Sequence, residues 1–185
     1  MTSSLSKIAL SERQLVVFGL AGETYGVDIS TVREIIQMQE ITSVPGTANS
    51  VKGVTNLRGT VIPVVDLARR FGLAEVKHNK NTRIVVINSR GNPIGVIVDS
   101  VNEVLRVSTD SIEPPSQMLV TSRSEYLLGI VKVAEKLVIL LDTDKVLSGD
   151  YYAQLLPEEK DSSAVKVESK VEAKEEAKIE AKVEA

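Results

Sequence analysis

Asp66 and Asp142 are the residues most suggestive of acid–base chemistry. They close two similar runs, "GVTNLRGTVIPVVD" from Gly53 and "GIVKVAEKLVILLD" from Gly129. An internal twofold could bring such a pair together as general acid and base. Each also stands directly before one more turn of helix, "LARRF" or "TDKVL", where a carboxylate caps free backbone N–H groups and needs no second site. Capping is the simpler reading, and no dyad is expected. Asp28 and Asp99 read the same way, as hairpin or cap groups. The one histidine, His78, lies in the polar stretch "KHNKN", a linker setting without the fixed, partly buried neighbourhood a general base needs. There is no cysteine, so thiolate catalysis, disulfides and thiolate metal sites are excluded. The glycines follow neither a Walker nor a dinucleotide fingerprint. No catalytic residue, cofactor site or metal site is expected.

Two charged residues remain. Glu34 follows Thr31 by three, the Ser/Thr-x-x-Glu spacing of a capping box, and Ser100 with Glu103 repeats the pattern. Arg58 is set in "NLRG", where Asn56 and Gly59 suit a tight turn. The matching turn, "VAEK", has Ala134 or Glu135 at that level, so the fold does not need the guanidinium. A planar, always-charged fork held at a turn loses little entropy on meeting a carboxylate, which suits recognition of a partner.

The elements that position these residues are duplicated. "LVVFGLAGETYGVDISTVREII" (Leu15 to Ile36) aligns with "IVVINSRGNPIGVIVDSVNEVL" (Ile84 to Leu105) at a constant shift of 69, which superposes Gly26 on Gly95, Val32 on Val101 and Glu34 on Glu103. The runs ending at Asp66 and Asp142 align at a shift of 76. Two units, about 14–76 and 82–148, follow. In each, apolar runs flank a glycine-bearing bend, the grammar of a hairpin. The capping box predicts a short helix next, then a Pro-marked loop ("ITSVPGTANS" or "SIEPPSQ"), then a second hairpin turning at "NLRG" or "VAEK". Four or five short strands per unit suggest small barrels, since closure removes unpaired edges. A unit of about 60 residues is marginal alone, and packing two together relieves that.

Composition narrows the function. Residues 158–185 carry six Lys against nine Asp and Glu, leaving sixteen of each sign in residues 1–157, so the body is neutral and the tail supplies the net charge of −3. From Lys166 the tail repeats with a strict period of four, which in a helix stacks like charge on like at i, i+4. A mostly disordered tail with transient helix is expected. Neither a signal-peptide core nor a bilayer-length apolar run is present, and a cytoplasmic protein is expected.

The segments "YGVDISTVREI", "VPGTANSVKGVTNLRGTVIPVVDL", "GVIVDSVNEVL" and "YLLGIVKVAEKLVILLDTDKVL" together resemble the CheW family, the coupling proteins of bacterial chemotaxis. The resemblance covers about residues 12–150 and implies two intertwined five-stranded SH3-like barrels without enzymatic activity. It also implies an adaptor that joins the cytoplasmic hairpin tip of a transmembrane chemoreceptor to the regulatory domain of the histidine kinase CheA, and that associates with receptor arrays through these partners and through further copies of itself. By the same resemblance Arg58 lies at the receptor contact, Asn56 and Leu57 shape its turn, Val32 and Glu34 match partner-contact positions, and Gly95 and Val104 match the second-barrel side of that groove. "QMQEIT", after "REII", departs from the pattern, as does the charged tail.

Two rival classes are weaker. A small-barrel nucleic-acid-binding module would want a basic footprint and stacking aromatics, and the body is neutral with aromatics at 3%. A carboxylate-only enzyme would lose activity but not stability on Asp66→Asn, whereas capping predicts mild destabilisation.

Overall fold

The computed structural model describes residues 12–74, 77–115 and 124–147. Among them the chain is mainly β. The strands are β1 (Glu12–Leu20), β2 (Glu23–Asp28), β3 (Val32–Gln37), β4 (Val51–Leu57), β5 (Thr60–Asp66), β6 (Arg83–Ser89), β7 (Asn92–Val98), β8 (Ser100–Ser108), β9 (Ile112–Glu113), β10 (Leu127–Val133) and β11 (Lys136–Leu141). Two single-turn helices, α1 (Leu67–Arg70) and α2 (Thr143–Leu147), and the 3-10 turns η1 (Ile29–Thr31), η2 (Thr109–Ser111) and η3 (Ser124–Tyr126) link them.

The four predicted hairpins form at the predicted bends. Their first central residues, Ala21, Arg58, Arg90 and Ala134, all adopt φ near +50°, and the next residue is glycine with positive φ in three of the four. Positive φ at both central residues matches the twist of the flanking strands and makes a two-residue connection possible.

Each sheet draws on both halves of the chain. Sheet A runs β8-β1-β2-β11-β10-β9 and sheet B runs β3-β6-β7-β5-β4. The hairpin β6–β7 therefore sits among first-half strands, as β1–β2 sits among second-half strands. The two parallel contacts are β2 with β11 and β5 with β7. The register obeys the sequence repeat: Val17 faces Glu103 in sheet A, and Val86, its counterpart, faces Glu34 in sheet B. Even the irregularities are doubled. The ladder slips between Val32 and Glu34 in β3 and at the corresponding place in β8, where Val101 and Glu103 face Phe18 and Val17. It slips again between Val51 and Gly53 and between Leu127 and Gly129.

Alternation along the strands sends side chains to two sides. Leu15, Val17, Val107, Val131, Val138 and Leu140 form a cluster inside sheet A, and Ile62, Val64, Ile84, Val86 and Ile97 form one inside sheet B. A third and larger cluster joins the sheets, with Phe18, Tyr25 and Val27 from one, Val85, Ile87 and Val96 from the other, and residues of α1 and α2. The helices are fixed as expected by Asp66 and Asp142. Asp66 Oδ1 accepts from the Arg69 N–H and Asp142 Oδ1 from the Lys145 N–H, both at 3.1 Å. Asp28 accepts from the Ser30 N–H at 2.9 Å, Asp99 accepts from the Ala21 N–H at 2.7 Å, and His78 is exposed.

Two expectations need correction. The helix predicted after each first hairpin is absent: Val32–Gln37 and Ser100–Ser108 are strands, and only the three-residue turns η1 and η2 coil near them. Thr31 does not cap toward Glu34; its hydroxyl donates backward to the Asp28 carbonyl at 2.7 Å. The β-branched residues Val32, Ile35 and Ile36 favour a pleated surface, and β6 offers partners for the backbone of β3. The second concerns strand number. Sheet B has the five strands implied, while sheet A has six, because β9 adds a two-residue pairing to β10. Its counterpart in sheet B is the single bridge Thr42 to Val54. The charged tail, 158–185, lies outside the described residues.

Candidate functional site

The turn Asn56–Gly59 is closed by its own side chain: the Gly59 N–H donates to Asn56 Oδ1 at 2.7 Å. That bond fixes the tip on which Arg58 sits. Leu57 packs on the sheet B cluster, which anchors the base of the turn. Arg58 therefore stands out, its side chain 81% exposed, and its Nη2 donates to Glu34 Oε2 at 2.9 Å. Glu34 reaches it because the slip in β3 between Val32 and Glu34 re-aims the strand. Glu34 is thus not a cap acid but one half of an exposed ion pair. Such pairs contribute about 0–1 kcal/mol to stability.

A groove of about 490 Å³ runs beside this pair. Arg33, Glu34, Arg58 and Thr60 supply polar walls, and Leu57, Ile62 and Pro93 an apolar floor. Two guanidinium groups against one carboxylate leave it net positive. The arrangement suits a protein ligand with an apolar ridge beside an acidic side chain. Its one carboxylate, Glu34, is engaged by Arg58, and among the described residues no group of three or more His, Asp or Glu is placed to hold a metal ion.

Of the seven residues singled out from the sequence, Arg58, Asn56, Leu57 and Glu34 come together here. Val32 lies two residues before Glu34, half-buried and packed on the cluster joining the sheets. Gly95 is buried in β7, between Val64 of β5 and Val86 of β6. A Cβ there would come 2.9 Å from Ile84 Cγ2 and 3.4 Å from Val64 Cγ2. Gly26, its repeat partner, meets Leu140 and Val138 of sheet A in the same manner, so this position lets two strands close on an apolar cluster. Val104 is 52% exposed on β8 of sheet A and does not line the groove. Reading the sequence missed Arg33, Thr60 and Pro93. Pro93 had no local signal, because β7 reaches the site only through the exchange of strands between halves.

A second, shallower groove of about 350 Å³ lies on the other side of the same hairpin, bordered by Gln39, Glu40, Thr42, Val54, Asn56 and Val61. Among the described residues no helix is long and apolar enough to cross a membrane.

Comparison with known proteins accounts for this construction. The model of the CheW-like domain matches residues 14–150. The chain is 36% identical over 141 residues to the chemotaxis protein CheW of Klebsiella aerogenes, spanning 76% of this chain and 85% of that one. Over 146 residues it is 32% identical to CheW of Bacillus subtilis, spanning 79% and 94%. The crystal structure of the scaffolding protein TtCheW from Thermoanaerobacter tengcongensis matches with a TM-score of 0.69 at 37% identity, over 75% of this chain and 90% of that one. With a family model over residues 14–150 and relatives above 30% identity across most of both chains, the chain belongs to the CheW family of non-catalytic chemotaxis adaptors.

Proposed function

We propose that the protein couples the cytoplasmic hairpin tip of transmembrane chemoreceptors to the regulatory domain of the histidine kinase CheA, with residues 12–150 acting as one CheW-like domain in the cytoplasm. The observation that carries this reading is the Arg58 tip: an 81% exposed guanidinium, held at a closed turn over an apolar-floored groove, that the sister turn lacks. An adaptor controls a kinase by fixing where it sits. Two docking surfaces on one stiff body make the second contact effectively intramolecular, with local concentrations on the order of millimolar for short tethers. Weak individual contacts then suffice. The receptor takes the Arg58 groove, with Asn56, Leu57 and Glu34 on its near side, while Val32 and Gly95 support the strands behind it and Val104, exposed on β8, stands apart from its lining. Exposed apolar residues elsewhere, Val61 and Leu137 among them, suit docking of the kinase's own barrels or of further copies in an array.

Arg58→Glu tests the reading. Asn56 and Gly59 keep the turn, so the variant folds, while the reversed charge beside Glu34 lowers co-sedimentation with receptor and kinase by about tenfold or more. Wild-type co-sedimentation, or undiminished kinase stimulation in a mixture of purified receptor and CheA, would refute the role given to Arg58.

A further inference from the structure

The connector between β3 and β4 makes hydrogen bonds that the corresponding part of the second half lacks. Gln39 donates through Nε2 to Thr55 Oγ1 at 2.8 Å and to the Asn56 carbonyl at 3.0 Å. Thr55, only 4% exposed, donates in turn to the Glu40 carbonyl at 2.7 Å. These bonds end on the residue whose side chain closes the turn, and the turn carries Arg58, whose bond to Glu34 leads back to the strand from which Gln39 departs. The tip is thus held from two sides, by Gln39 at the Asn56 carbonyl and by Glu34 at the Arg58 guanidinium, with both residues on the run of chain that forms β3 and leaves it.

The second half of the chain provides an internal control. At the repeat shifts, Thr55 corresponds to Val131, an apolar member of the sheet A cluster, and Gln39 to Ser108, whose side chain accepts locally from the Asp110 N–H. That hairpin folds with the same φ at its first central residue, a matching slip in its ladder and no such brace. A polar residue at a buried position that folds well as valine, bonded to a connector glutamine, points to a purpose other than stability.

We propose that Gln39 and Thr55 are positioning residues, bracing β4 at Asn56 so that the Arg58 guanidinium is held in the pose its partner reads. This rests on the receptor role of Arg58. The physical gain is preorganisation: an exposed arginine on a loose tip must be ordered on binding, whereas a braced one has already lost that freedom.

The test is a double-mutant cycle with the full chain and a purified receptor cytoplasmic fragment, together with amide hydrogen exchange at Gly59. Gln39→Ala is expected to weaken binding about five- to tenfold, to leave the melting temperature in place and to speed Gly59 exchange. Thr55→Val, which keeps the packing volume, should act in the same direction. In an Arg58→Ala background neither change should weaken binding further, because both act through the guanidinium. Undiminished binding by Gln39→Ala, where Arg58→Ala does weaken it, overturns the brace. So does an equal loss with Arg58 already removed, which would mean that Gln39 touches the receptor itself. If Arg58→Ala binds at full strength the receptor role falls, and Gly59 exchange then judges the brace alone: a rate unchanged by Gln39→Ala refutes it.

Discussion

At the tip of the β4–β5 hairpin Arg58 holds φ +51°, and at the tip of β10–β11 Ala134 holds φ +52°. Around both tips the same parts recur. A slip in the ladder lies near the start of β4 and of β10, an aspartate caps the helical turn that follows, and a parallel contact ties the hairpin to the other half of the chain. What differs is chemistry at the surface. Arg58 meets Glu34, whereas Glu103, the counterpart of Glu34, pairs with no cation among the described residues. The comparison separates two kinds of residue: those repeated in both hairpins build the sheets, and those present in one are free to serve a partner.

The largest expected effects lie among the repeated parts. A Cβ at Gly53 would collide with the Thr42 carbonyl oxygen, and its φ of +144° is itself strained for any other residue. At Gly129 a Cβ would stand 2.6 Å from Ile112 Cγ2 and 2.8 Å from Glu113 O. Both glycines let the preceding segment cross the hairpin. Gly53→Ala should cost about 3 kcal/mol or more, and Gly129→Ala somewhat less because its neighbour is partly a side chain that can turn. Urea denaturation checks both. A negligible cost at either one breaks the equivalence on which the comparison stands.

How far this was visible beforehand depended on distance along the chain. Hairpins at Ala21-Gly22 and Arg58-Gly59 and caps at Asp66 and Asp142 were legible because turn and cap chemistry is local. The helix read from Thr31 and Glu34 failed because the capping-box spacing is also found where a strand follows a short turn. What decides is the ladder offered by β6, fifty residues on, and nothing local announces it. For the same reason the capping-box spacing does not announce Glu34 as the partner of Arg58, and no local pattern puts Pro93 beside the groove, although the family resemblance implies intertwined barrels. Gly95 is the opposite case. Its glycine was noticed through the repeat, but only the structure shows it closing on Ile84 and Val64.

The caps should separate the halves by burial. Asp66 is 5% exposed and also lies 3.7 Å from Arg69 Nε, while the Asp142 side chain is 22% exposed and 3.6 Å from Lys145 Nζ. Asp66→Ala should therefore cost about 1–2 kcal/mol and Asp142→Ala about 0.5–1 kcal/mol. The order of the two denaturation midpoints is the measurement, and a reversed order would show that burial does not govern the caps. Next comes the ion pair. Arg58→Ala should change stability by less than about 1 kcal/mol, since the pair is exposed and the tip retains Asn56 and Gly59. A larger loss would move Arg58 from the partner-serving class into the building class.

The smallest effect is expected from copying the difference across. Ala134→Arg places a guanidinium at a residue with nearly the same φ as Arg58, and by the repeat Glu103 stands in β8 where Glu34 stands in β3. The new pair should form on the surface and shift stability by only a few tenths of a kcal/mol, within the range of exposed ion pairs. It should add no receptor binding. Lys132 replaces Asn56 and Glu135 replaces Gly59, so the side-chain bond that closes the first turn is missing, and with Val131 and Ser108 in place of Thr55 and Gln39 there is no brace behind it. A guanidinium alone would then be shown insufficient, its setting being what the partner reads. Combining Ala134→Arg with Arg58→Ala gives the sharpest form of the measurement, because any recovery of binding would have to come from the second tip.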